Sequence, residues 1–108
     1  ETTMIARIWR GRTKAEHTGE YLEILRTTGV ADYTGTPGNR GAWVLTRNVG
    51  DTTEYTVLTL WESRDAIARF AGDDIDVARY YPEDERYLLE FAAAVEHYDV
   101  PISGLPAS

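Results

Sequence analysis

The stretch TEYTVLTLWESRDAIARFAGDD, residues 53–74, decides the fold because a strand pattern passes directly into a helix pattern. Every second residue of its first half belongs to one face of a predicted strand over residues 53–61: Tyr55, Val57, Thr59 and Trp61. In its second half, Ser63 is predicted to cap a short helix that ends at Gly72. The inner face of that helix is predicted to carry Ala66, Ile67 and Phe70.

The residues before this stretch predict a hairpin partner, a helix and a first strand. The run AWVLTR, residues 42–47, is predicted to be one arm of a hairpin, whose turn is marked by Gly-Asp in the linker NVGDT. The run MIARIWR, residues 4–10, is rich in strand formers and is predicted to be the first strand. The helix between them begins near Thr13 and ends at Gly29. Residues 30–41 are predicted to be a loop, because they contain a proline and three glycines.

The residues after this stretch predict broken helical pieces and a last strand. Helical patterns between residues 73 and 90 are interrupted at Pro82. The run AAVEHYDV, residues 93–100, is predicted to be the final strand, and residues 101–108 are predicted to be an extended tail.

The order β-α-β-β-α-β predicts a ferredoxin-like α+β domain, in which helices cover one face of an antiparallel sheet. The sequence has no repeat or linker, so we expect a single domain over residues 1–108 with its core at about 4–100. The second face of the sheet is left bare by this arrangement. Because apolar side chains on a bare face need a partner, we expect a homodimer that packs sheet against sheet.

Charge and composition exclude several classes of function. The 108-residue chain has a formal net charge of -7, which argues against nucleic-acid partners and against anionic membrane surfaces. It contains no cysteine, which rules out disulfides and thiolate chemistry. Its apolar runs are only a few residues long, so we expect no membrane span and a cytoplasmic protein.

Two stretches resemble the antibiotic biosynthesis monooxygenase family: VLTLWESRDAIARFAGDD, residues 57–74, and TPGNRGAWVLTR, residues 36–47. The resemblance covers roughly residues 4–100 and implies a small dimeric α/β barrel. It also implies a range of activities. The superfamily includes cofactor-free oxygenases that act on aromatic polyketides, haem-degrading enzymes and isomerases.

The resemblance disfavours haem degradation. The haem-degrading members of the family that this chain resembles use three residues: an Asn on the first strand, a Trp on the helix after WES, and a His ten residues beyond that Trp. Here Phe70 stands at the Trp position and Tyr80 at the His position, and the first strand has no Asn.

Several aromatic side chains are candidates for a flat, apolar substrate pocket: Trp9, Trp43, Trp61, Phe70 and Tyr81. The alternative is that they pack in the core or at a dimer interface, as large aromatic side chains commonly do. The three tryptophans lie on three different predicted strands and need not face the same way.

Polar candidates are fewer. His97 is the best candidate for a catalytic base, since an imidazole titrates near neutral pH, although it could equally be an interface residue. The phenol of Tyr80 is a candidate donor to a substrate carbonyl or oxyanion. Arg40 could hold a carbonyl at the pocket mouth, or simply belong to a turn. His17 and His97 do not have the spacing of a ligand pair, so we expect no metal.

The acidic run in RYYPEDER, residues 79–86, has a structural explanation. Pro82 suits the first position of a helix, and the three acids after it would lie in the first turn, where negative charge is favourable. Arg86 could pair with Glu90 at the i+4 position.

The family resemblance implies a small cofactor-independent, monooxygenase-like enzyme of secondary metabolism with an aromatic or polyketide-like substrate. The sequence has no flavin or nicotinamide fingerprint, so no cofactor is expected. Two alternatives stay open, a non-catalytic dimer that binds a small ligand, and an isomerase or cyclase that uses the same pocket.

Overall fold

The computed structural model describes residues 4–92 and 94–104. Its main elements, in chain order, are β1 Met4–Lys14, α1 Thr18–Thr27, α2 Gly29–Gly35, β2 Asn39–Val49, β3 Thr52–Trp61, α3 Arg64–Ala71 and β4 Glu96–Val100. Two short 3-10 helices cover Ala15–His17 and Pro82–Arg86. The four strands form one antiparallel sheet in the order β2-β3-β1-β4, which confirms the ferredoxin-like fold.

The hairpin between β2 and β3 forms where the sequence predicts it. Val49 pairs with Thr52, and Gly50 takes a φ of 62°, a left-handed value that glycine adopts without strain. At the other end of β2, the pairing register shifts between Asn39 and Gly41, which marks an irregularity in this strand.

Helix α3 is also confirmed in detail. The Ser63 hydroxyl accepts a hydrogen bond from the Ala66 backbone N–H at 3.1 Å, and Gly72 ends the helix with a φ of 91°. Ala66, Ile67 and Phe70 are buried against the sheet, as their spacing predicts.

Other parts differ from the prediction. The predicted loop over residues 30–41 begins with helix α2, because Tyr33 is buried against the core. Residues 73–81, which we call the strap, run without a helix, and Val77 forms an isolated bridge to Ala94. No described helix is long and apolar enough to cross a membrane.

The last strand is shorter than predicted. It spans only Glu96–Val100, and the neighbouring Val95 N–H bonds the Asp76 carbonyl rather than the sheet. Residue 93, at which the predicted strand begins, lies outside the described residues, as do residues 105–108 of the predicted tail.

The two faces of the sheet differ strongly. The inner face packs against the helices through a mostly aromatic core that includes Trp9, Tyr21, Tyr33, Tyr55, Trp61 and Phe70. The opposite face, here called the open face, has no covering element among the described parts of the chain. Register and alternation place these apolar side chains on it: Met4, Ala6, Ile8, Trp43, Leu45, Leu58, Leu60, Tyr98 and Val100.

Candidate functional site

Two polar side chains lie among the aromatic side chains of the inner face. Alternation along β1 places Ile5, Arg7 and Trp9 on one face, which the structure turns inward, and Arg7 is only 3% exposed. On β4, His97 stands directly opposite Arg7, and its side chain is 5% exposed. Directly opposite residues share a face of the sheet, so the guanidinium and the imidazole are neighbours in the interior.

Arg7 is held by weak partners. Its Nη2 donates to the carbonyl oxygens of Val77, at 3.2 Å, and of Ile75, at 3.4 Å, both on the strap. Its Cζ lies 5.6 Å from the centroid of the Phe70 ring, a cation–π contact. Its Nε is buried and has no hydrogen-bond partner among the described residues. Burial lowers the pKa of Arg7, yet a guanidinium stays charged at neutral pH.

His97 is arranged as a neutral base. Its Nδ1 lies 3.1 Å from Oδ1 of Asp76, while its Nε2 is buried without a partner in the described part of the chain. Burial lowers the pKa of His97 and the Arg7 cation lowers it further, against the opposing effect of Asp76. In the tautomer whose Nδ1–H donates a hydrogen bond to Asp76, the lone pair on Nε2 is available to accept a proton.

Tyr80 lies on the same side of the sheet, beside Trp9. Its hydroxyl donates to the Ala92 carbonyl at 2.6 Å and accepts from the Trp9 indole N–H at 3.4 Å. Its ring packs edge-on against Trp9 and Phe91. Tyr80 therefore lies beside Trp9 and His97 beside Arg7, which are successive inward residues of β1. The two side chains do not hydrogen-bond to each other, because each bonds its own partners.

Trp61 and Phe70 belong to the closed core. Trp61 is fully buried, and its indole N–H donates to the Thr59 hydroxyl at 2.8 Å. Phe70 packs against Trp61 and Tyr33, with ring centroids 6.2 and 4.6 Å away. These two side chains supply the aromatic wall next to Arg7.

A surface cleft leads to the edge of this wall. It has a volume of about 310 Å³ and is lined by Ala31, Asp32, Gly35, Thr36, Arg69, Phe70 and Arg79. Tyr81 stands beside it, donating from its hydroxyl to Oδ2 of Asp32 at 2.5 Å. Burial raises the pKa of Tyr81, and its hydrogen bond to Asp32 raises it further.

Trp43 and Arg40 lie away from this group. Trp43 is 45% exposed on the open face, where it lines a shallow cleft with Leu45, Leu58 and Leu60. Arg40 forms a surface ion pair with Glu62, with Nη2 and Oε2 2.9 Å apart. The structure therefore does not bring either residue to Tyr80 or His97.

The largest described cleft, of about 820 Å³, opens at one end of the open face. Its charged side chains are paired with each other: Arg12 with Glu90 and Arg47 with Glu54. Next to it, Arg10 is paired with Glu96. Because each guanidinium has a carboxylate, this cleft has little electrostatic preference for an anion.

The sequence reasoning missed two buried charged residues. Arg7 is not among the predicted site residues, although it shares a strand face with Ile5 and Trp9, and a charge between two apolar residues of one face was the available signal. Asp84 is 4% exposed and accepts from the Tyr21 hydroxyl at 2.8 Å and from the Tyr81 N–H at 2.7 Å. No three His, Asp or Glu side chains in the described ranges gather as metal ligands would.

Comparison with known proteins adds a family match. The model of the family described as antibiotic biosynthesis monooxygenase matches residues 4–74 of this chain. No curated protein matches the chain.

Solved structures share the fold at low identity. A Bacillus cereus protein named for the same family is 20% identical, covers 96% of this chain and 99% of its own, and has a TM-score of 0.63. A monooxygenase from the gene ActVA-Orf6 of Streptomyces coelicolor, in complex with nanaomycin D, is 15% identical, with 98% and 94% coverage and a TM-score of 0.60. A heme-degrading protein from Mycobacterium tuberculosis is 19% identical, with 98% and 100% coverage and a TM-score of 0.61. At these identities the structural likeness supports the fold alone.

Proposed function

Because the chain belongs to the antibiotic biosynthesis monooxygenase family, we propose that it is a small, cofactor-independent monooxygenase-like enzyme with an aromatic or polyketide-like substrate. The observation that carries this proposal is the buried imidazole of His97, whose Nε2 lies on the inner face of the sheet and has no hydrogen-bond partner among the described residues. A base of this kind is what deprotonation of an acidic phenol needs.

In the proposed reaction, Nε2 of His97 accepts the proton of a substrate phenol or of an activated carbon. The resulting anion transfers one electron to dioxygen, and the two radicals combine into a carbon-bound peroxide. This peroxide takes up the proton from His97 and loses water together with the hydrogen of the same carbon, which leaves a carbonyl, so the substrate supplies all the electrons. The buried side chains next to the site, Trp9 on β1 and Phe70 on α3, keep water away from the reacting anion. Asp76 holds Nδ1 and so orients the imidazole, which is the usual task of the partner of a catalytic base.

Substrate entry requires the strap to move. Residues 73–81 cover the inner face between Arg7 and the surface, and two of their carbonyls bond Arg7. The cleft at Phe70 opens next to this segment. We propose that displacement of the strap joins that cleft to the space beside His97.

The test is oxygen uptake with a panel of anthrone- and naphthol-like substrates. We expect uptake by the wild-type protein and a fall of about 10²–10⁴-fold in His97→Ala, the range for a lost general base. His17→Ala is the matched control, because the His17 ring packs against Tyr87 rather than beside Arg7 and Asp76, and it should retain full activity. Tyr80→Phe measures whether that hydroxyl also serves the substrate. Absence of uptake by wild type across the panel would refute the oxygenase proposal.

The engaged hydroxyl of Tyr80 favours a second candidate, a dimer that binds a small ligand without reacting with it. That hydroxyl already donates to Ala92 and accepts from Trp9, as a structural tyrosine does. Ligand binding without oxygen uptake would support this candidate, whereas conversion of the ligand without oxygen would indicate an isomerase or cyclase.

Haem degradation stays disfavoured in this proposal despite the heme-degrading structural relative. Phe70 is packed tightly against Tyr33 and Trp61, and the Tyr80 hydroxyl is bonded within the protein. Haem titration followed by visible absorbance is the direct check, and haem breakdown with ascorbate would overturn the proposal.

The proposal includes a homodimer formed through the open face. Trp43, Leu45 and Tyr98 are each about half exposed there, which is unusual for large apolar side chains of a monomer. A second copy of the same face is the partner that the family resemblance implies. The expected cytoplasmic location and the single domain over residues 1–108 stay predictions.

A further inference from the structure

Arg7 is a buried cation with no matching anion. It is 3% exposed, and no carboxylate in the described residues lies within ion-pair distance of it. Its partners are two backbone carbonyls at 3.2 and 3.4 Å and the face of Phe70, while Nε has none. Burying a charge costs several kcal/mol unless it is paired, so such an arrangement is not explained by stability alone.

We propose that Arg7 is the binding site for the anionic oxygen of a phenolate or enolate, which takes the positions of the Ile75 and Val77 carbonyls on its guanidinium. This inference rests on the proposed function in so far as the ligand is the substrate of that reaction. It assigns a role to a residue that neither the sequence patterns nor the family match identifies.

The guanidinium offers suitable donors. Nε–H is unpartnered, and Nη2 makes only long bonds, so both can turn to one strong acceptor. His97, directly across the sheet, can accept the proton that the phenol loses. The ring of Phe70, which already lies against the guanidinium, provides an aromatic surface for a planar ring.

The charged and titratable groups around Arg7 leave the interior positive. Asp76 on the strap is close, but its side chain is 73% exposed, and its carboxylate faces Nδ1 of His97. Arg64 of α3 acts on His97 as a further positive charge. Tyr33 of α2 is buried, and burial raises its pKa, so its phenol stays neutral. A single anionic oxygen bound to the guanidinium would therefore compensate the positive charge of Arg7.

The experiment uses 4-nitrophenol, whose phenolate absorbs in the visible range. Bound to the wild-type protein, its apparent pKa should fall by about 1 to 3 pH units, the effect of an adjacent opposite charge. Arg7→Gln retains an amide donor for the strap carbonyls but removes the charge, and should abolish this fall. Arg7→Lys should restore part of it.

Arg26→Gln is the matched control. Arg26 is also an arginine, but it lies on the surface of α1, with a side chain that is 71% exposed and paired with Glu23. Its replacement should leave the nitrophenol titration unchanged. If both variants lose the fall equally, or if wild type shows none, the site is not at Arg7.

A second measurement needs no variant. In NMR spectra of the wild-type protein, the Arg7 Nε–H signal should shift on addition of 4-nitrophenol, and an unmoved signal would contradict the proposal even if Arg7→Gln does not fold. Benzoate serves as the competing probe. Binding of benzoate through Arg7 with no binding of the phenol would overturn the phenolate assignment.

The outcome is separable from that of the oxygenase test, because nitrophenol binding requires neither oxygen nor turnover. A nitrophenolate bound through Arg7 without oxygen uptake on any substrate would refute the oxygenase proposal and support the anion site. Oxygen uptake that is undiminished in Arg7→Gln would support the oxygenase proposal and refute the anion site at Arg7.

Discussion

At the level of single residues, the buried imidazole of His97 couples stability to pH. Its pKa is lowered in the folded protein, first by burial and then by Arg7, so the unfolded chain binds the proton more readily. The free energy of unfolding therefore falls as the pH drops from about 6.5, the ordinary histidine value, towards the lower folded value.

This pH dependence is measurable by urea unfolding between pH 7.5 and 5. We expect the wild-type protein to lose stability over that window and His97→Asn to lose less. His17→Asn should follow the wild-type curve. An identical pH dependence in wild type and His97→Asn would contradict the assignment of a buried neutral imidazole.

The Tyr21–Asp84 hydrogen bond is a second residue-level feature with a measurable role. In Tyr21→Phe, Oδ1 of Asp84 loses its 2.8 Å donor and remains buried, which should lower the free energy of unfolding by about 1–3 kcal/mol. Tyr87→Phe removes a similar hydroxyl from a surface partner, Glu20, and should have a much smaller effect. Equal losses in the two variants would show that burial of Asp84 is unimportant.

Residues on regular strands were predictable, whereas buried charges were not. The two-residue period of a strand correctly predicts that Tyr55, Val57, Thr59 and Trp61 share one face of β3, and all four are buried. Asp84 was predicted only as an acid in a first helical turn. Its burial depends on Tyr21, which lies 63 positions away in sequence, and no local pattern carries that information.

At the level of elements, the cap of α3 is the clearest test of local sequence signals. Ser63→Ala removes the acceptor of the Ala66 N–H and should cost about 1 kcal/mol of stability. Ser63→Asp supplies another capping oxygen and should retain most of it. Denaturant unfolding measures both, and an unaffected Ser63→Ala protein would mean that α3 is held by packing alone.

Elements without a strong local signal were predicted less well. Helix α2 has glycines at both ends and a mixture of apolar and polar residues between them, and it forms because Tyr33 packs against Phe70 and Trp61. The strap was predicted to be helical in part. It has no helix and instead makes a turn at residues 75–76, with two of its carbonyls bonded to Arg7 and Val77 bridged to Ala94, contacts that local propensity does not contain.

At the level of the whole molecule, the open face predicts the oligomeric state. We expect light scattering at micromolar concentration to give twice the chain mass of 12.2 kDa. Trp43→Glu places a charge among the exposed apolar side chains of the open face and should give a monomer. Thr27→Glu, at an exposed position of α1, should remain dimeric. A monomeric wild-type protein would refute the proposed use of this face.

The fold as a whole followed from the order of strand and helix patterns, but the candidate site did not. His97 and Tyr80 were identified by residue type, and the structure places them beside Arg7 and Trp9 respectively. The residues that face each other on two strands distant in sequence depend on the pairing register. The register of β4 against β1, which places His97 opposite Arg7, cannot be derived from a local sequence pattern.

The two strap carbonyls on Arg7 also have a kinetic consequence. A ligand oxygen can reach the guanidinium only after residues 75–77 have left it, so opening precedes binding. The association rate seen by stopped flow should then level off at high ligand concentration, at the opening rate of the strap. The same closure slows departure, so a ligand of modest affinity would still have a long residence time.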